Sequence, residues 1–67
     1  MKITKDEKKI ILIWNEKNDE DVKKAKTYFN KLTKQGWLAL KSEEKSRILE
    51  FKPEYGTLWF IPLSEGG

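Results

Sequence analysis

Asn18-Asp-Glu-Asp-Val-Lys-Lys-Ala-Lys-Thr-Tyr-Phe-Asn-Lys-Leu-Thr-Lys-Gln-Gly36 is the stretch whose reading decides the fold. Asn18 suits an N-cap, and Asp21 three residues on makes an Asx-type version of the capping box. Asp19, Glu20 and Asp21 favour the positive end of a helix dipole. Val22, Ala25, Tyr28, Phe29 and Leu32 recur at steps of three and four. At about 100° per residue they fall in an arc of about 120°, an apolar stripe with one side to bury. Lys23, Lys24, Thr27, Asn30, Lys31 and Lys34 take the opposite side. Gly36 fits the C′ position that stops a helix. The spacing predicts one helix over residues 19–34.

Both flanks of that helix read as strand. Ile10-Ile11-Leu12-Ile13-Trp14 is apolar on both alternating faces, as a central buried strand is. Residues 2–4 form a short strand if they pair with it across the polar turn at residues 5–9. Downstream, Trp37 to Lys41, Arg47 to Lys52 and Thr57 to Leu63 are predicted strands. Residues 42–46 form a polar turn between the first two. Pro53-Glu54-Tyr55-Gly56 is read as a tight turn between the last two. Pro62 marks a strand end or edge. The expected fold is α+β, (β)βαβββ: one helix on one face of a mostly antiparallel four- or five-stranded sheet. It forms a single domain over residues 1–63, with residues 64–67 as a flexible tail.

One helix covers one sheet face, yet the strands are apolar on two. Leu58 and Phe60 oppose Trp59, Ile61 and Leu63, and Trp37 and Ala39 oppose Leu38 and Leu40. An antiparallel strand with a solvated face alternates more cleanly. The second face is therefore a candidate contact surface for another subunit, giving a homodimer, or for a partner.

Composition narrows the chemistry. The chain has 67 residues, no Cys and no His. Disulfides, thiolate zinc sites and the Ser-His and Cys-His nucleophile pairs are excluded. No Gly-rich phosphate loop or EF-hand loop occurs. No cofactor is expected. Glu43-Glu44 and Asp19-Glu20-Asp21 are adjacent acids, but they sit in a turn and a helix first turn, where solvent and capping explain them. An enzyme is not expected. No run approaches the about 18 apolar residues of a membrane span. The first residues lack the apolar core of a signal peptide. A cytoplasmic location without membrane contact is the expectation.

Charge is uneven. Fourteen Lys and Arg against eleven Asp and Glu give +3. Residues 1–34 carry ten Lys against six acids, and residues 35–67 carry four bases against five acids. Lys23, Lys24, Lys31 and Lys34 on the helix would meet phosphates if the chain bound nucleic acid, and its aromatic residues would stack on bases. Lysines opposite an apolar stripe are also the ordinary face of a soluble helix. Trp14, Trp37 and Trp59 lie in apolar strands and are read as core.

The last residues, Trp59-Phe60-Ile61-Pro62-Leu63-Ser64-Glu65-Gly66-Gly67, run from a strand into a Pro-containing segment and two glycines. This ending resembles that of ubiquitin-like β-grasp proteins, above all the small sulfur carriers of the MoaD and ThiS type. The resemblance implies an E1-like partner that adenylates Gly67, which then becomes a thiocarboxylate or joins a lysine amine. Gly66, without a Cβ, would let the tail thread a narrow channel. Trp59, Ile61 and Leu63 would dock on the activating enzyme. Trp14-Asn15, Gly36-Trp37-Leu38-Ala39 and Phe51-Lys52-Pro53 also resemble segments of small prokaryotic proteins of no assigned activity. Three readings stand: a ubiquitin-like modifier or sulfur carrier, an interaction or self-associating module using the second sheet face, and a nucleic-acid binder using the helix lysines.

Overall fold

Residues 2–5 and 10–13 close a hairpin because the polar run between them turns the chain while the apolar run after it seeks a partner. The computed structural model describes residues 1–6, 8–41 and 46–62. Strand β1, Lys2–Lys5, pairs antiparallel with β2, Ile10–Ile13, in the register Lys5 to Ile10 and Lys2 to Ile13. The Asp6 amide donates to the Lys9 carbonyl at 2.8 Å and closes the turn. Residues 2–4 thus do pair as a strand.

Helix α1 spans Asp19–Lys34, as its stripe and caps predict. Asn18 Oδ1 accepts the Glu20 and Asp21 amides at 3.0 and 3.1 Å. Asp21 does not make the expected return bond of a capping box. Its carboxylate accepts the Asn15 amide at 3.1 Å and the Met1 ammonium at 3.0 Å, so it ties the helix start to the incoming chain and to β1. At the other end the Gln35 amide donates to Leu32 and Lys31, and the Gly36 amide to Thr33. Gly36 has φ +100°, left-handed backbone that L side chains rarely adopt. No atom approaches where its Cβ would be, so an alanine there would cost conformation rather than space.

Strand β3 is Trp37–Leu40, and β4 is Thr57–Pro62. The sheet order is β1-β2-β4-β3, with every ladder antiparallel. β4 therefore lies between β2 and β3. It runs antiparallel to both its neighbours.

The expected strand at Arg47–Lys52 is replaced by an irregular arm. Only Arg47 forms a bridge, to Leu40 on the outer edge of β3. The Ile48 amide donates to Ala39 and the Lys41 amide to Ser46. The arm then leaves that edge because its aromatic side chain is drawn elsewhere. The Phe51 ring lies 5.1 Å from Trp14 and 5.8 Å from Phe29, at the seam between helix and sheet. The expected tight hairpin turn is a 3₁₀ turn, Pro53–Tyr55, ended by Gly56 at φ +73°. Trp14 Nε1–H donates to the Pro53 carbonyl at 2.9 Å, and the Trp14 amide donates to Gly56. Trp14 is thus the pin that fixes the far end of the arm.

The core lies between α1 and one sheet face. Ala25, Phe29 and Leu32 of the helix meet Ile10 and Leu12 of β2, Ala39 of β3, and Leu58 and Phe60 of β4, with Trp14 at one end. Phe29 and Phe60 meet edge to face at 6.2 Å, a favoured aromatic geometry. No buried polar or charged side chain occurs among the described residues.

Candidate functional site

Side chains alternate across a strand, so the register that buries Ile10, Leu12, Leu58 and Phe60 sends their neighbours to the other face. Cross-strand partners there form a row: Thr4, Ile11, Trp59 and Leu40. Ile61 opposes Leu38 beside that row, while Ile13 lies between Lys2 and Thr57. Ile11, Leu38, Leu40, Trp59 and Ile61 are half-buried by one another, and Ile13 is 43% exposed. Among the described residues no helix or strand packs over this face. Lys9 Nζ sits 4.1 Å from the centre of the Trp59 ring, a cation–π contact. Lys2, opposite Ile13, and Lys9, over Trp59, bring positive charge to this face, and Arg47 opposes Leu40 at its edge.

Trp59 and Ile61 therefore share the face expected of them. Leu63 lies outside the described residues, as do Gly66 and Gly67. Reading Trp59 as core is corrected: odd positions of β4 point away from the helix. Trp14 is core, and Trp37 packs half-buried against the core cluster. Ile11, Ile13 and Lys9 were not singled out by the sequence. The period of two, carried from Trp59 through the β2–β4 register, would have found the two isoleucines.

Lys23, Lys24, Lys31 and Lys34 are all exposed on α1. Lys23 and Lys24 flank a shallow depression with Thr27 and Tyr28, whereas Lys31 lines a separate cleft at the other end of the helix. The four do not form one concave surface. Glu43 and Glu44 lie outside the described residues. Asp19 and Glu20 stand in the helix first turn, exposed. Among the described residues no group of acids, histidines or cysteines is placed to hold a metal ion, and no helix is long and apolar enough to cross a membrane.

Among the described residues Asp21 is the titratable group with a perturbed proton affinity. The hydrogen bond from the chain's amino terminus, then that from the Asn15 amide, holds its carboxyl below its ordinary value of 3.8. A depressed carboxyl contributes stability above the unfolded value and loses it as pH falls through the folded value. Asp21→Asn is expected to melt below the wild type at neutral pH. The gap should close as pH drops below 3.8. Thermal melts followed by circular dichroism over that range check this; a gap independent of pH would mean that the ionised form is not the stabilising one.

No family model, curated protein or solved structure matches the chain.

Proposed function

We propose that the protein is a non-catalytic binding module whose working surface is the open face of its sheet. The observation that carries this reading is the row Ile11, Trp59 and Leu40, with Ile61 and Leu38 beside it, which has no covering element among the described residues. The occupant we favour is a protein with an apolar patch bordered by carboxylates. Lys2 and Lys9 give the face positive charge, and Asp21, which shares a depression with Lys2 and Ile13, is already paired with the Met1 ammonium. A second copy would bring lysines towards lysines, whereas an acidic border would complement them.

The test places a photo-crosslinking side chain at Leu38, on the open face, or at Lys24, on the outer helix face, in cells of the protein's source. Crosslinks to an acidic partner from Leu38 and none from Lys24 are expected. Equal yield from both positions, or a crosslinked dimer of the chain itself, overturns the choice of occupant.

A second reading rests on the residues that follow β4. With Gly66-Gly67 as the carboxyl terminus of the mature chain, the protein would be a ubiquitin-like modifier or sulfur carrier charged by an E1-like enzyme. The open face would then seat that enzyme. Intact mass of the chain from its native cells decides it: sulfur in place of one carboxylate oxygen, or a branched peptide at Gly67, supports a carrier, and a plain chain counts against one.

A further inference from the structure

We propose that the cleft between the C-terminal half of α1 and the corner of the sheet binds a small planar aromatic carboxylate. This site lies on the helix side of the sheet, away from the open face, and does not depend on the function proposed for that face. The cleft has a volume of about 330 Å³, within the range of small-ligand sites. Ile10 and Leu32, both core residues, form an apolar floor, and Tyr28 and Trp37 supply aromatic walls. Lys5 comes from β1 and Lys31 from α1, so two cations reach the cleft from different elements.

Donors dominate this lining. Neither lysine has an ion pair, and neither Tyr28 nor Trp37 has a side-chain hydrogen bond, among the described residues. Asp6 is the one acid of the lining and already has an interaction of its own. The negative end of the helix dipole, worth about half a unit charge, also reaches this corner. Two ammonium groups exceed it and Asp6 together. A ligand that satisfies the cleft has a flat apolar body for the floor and walls and an acceptor-rich anionic end for the lysines. Apolar burial without the anion would leave the donors unused, and an anion without the body would leave the aromatic walls exposed.

The experiment is a ¹H–¹⁵N titration of the full chain with 2-naphthoate, with the neutral 2-naphthalenemethanol, and with acetate. Saturable shifts are expected with 2-naphthoate at the Tyr28, Leu32 and Trp37 amides and at the Trp37 indole N–H. The alcohol should bind about fivefold more weakly, and acetate should leave these signals in place. Lys5 and Lys31 are exposed, so the Lys5→Gln, Lys31→Gln double variant keeps the fold, which its own spectrum verifies. It should bind 2-naphthoate about fivefold more weakly, the loss expected from two solvent-exposed charge contacts, and bind the alcohol as the wild type does. The proposal is overturned if the shifts fall on Ile11, Leu40 and Trp59 instead, if no saturable shift appears, or if the double variant binds the acid as tightly as the wild type.

Discussion

Phe60→Ala is expected to remove a large share of the folding stability and to leave the chain marginally folded or unfolded at room temperature. Phe60 has no exposed surface and sits in the central strand β4. Its ring faces Phe29 across the helix–sheet seam, and its backbone is flanked by Ile10 on one side and Ala39 on the other. Removing a buried phenylalanine costs about 3–5 kcal/mol, the larger figure where neighbours cannot collapse into the space. Here both flanking strands are fixed by ladders, so collapse is restricted. A domain of 67 residues has a total stability of only about 3–10 kcal/mol. No disulfide is present to hold the rest. Far-ultraviolet circular dichroism and urea titration check the expectation. A cooperative transition whose midpoint is close to that of the wild type would mean that the core does not turn on this ring.

Trp59→Ala, one residue earlier, is expected to do the reverse. Its side chain lies on the open face, half-buried against Ile11 and Leu40, and loses only those contacts and the Lys9 cation–π pair. The pair is worth about 0.5–1 kcal/mol at an exposed site, so the fold should survive with a modest fall in melting temperature. Binding should suffer far more. A tryptophan at the centre of an apolar patch is a typical hot spot, and truncation costs about 2 kcal/mol or more, roughly thirtyfold in affinity. The crosslink from Leu38 should accordingly disappear while the amide spectrum stays folded. Retention of the crosslink at wild-type yield would remove Trp59 from the interface.

The contrast between these neighbours explains what was legible beforehand. The helix could be read to its end residues because Asn18, the apolar stripe and Gly36 are local signals that agree. The apolar surplus of β3 and β4 announced a second face, since alternation is also local. Pairing order was not legible. Arg47 to Lys52 carries Ile48, Leu49 and Phe51, which pass for a strand, but Leu49 is 78% exposed and the segment's course is set by Trp14, far away in sequence. The position of β4 between β2 and β3 likewise depends on which edges remain open after the helix docks. The cleft escaped notice because Lys5, the Tyr28–Lys31 helix pair and Trp37 come from three separate elements, and no sequence spacing links those elements.

The placement of β4 also governs how the molecule can be assembled. It is the last of the strands to emerge in chain order, and it fills the middle of the sheet. Until it is made, the β1–β2 hairpin and the α1–β3 pair have no ladder to join them, and β2 and β3 each present an unpaired edge. Closing the structure requires long-range contacts between residues 10–13 and 57–60, which makes assembly slow relative to local hairpin or helix formation. The interval is one in which apolar edges invite pairing with other chains. The gap between those edges has the shape of a single extended strand, so a free segment like Thr57–Pro62 would compete for the same slot during biosynthesis.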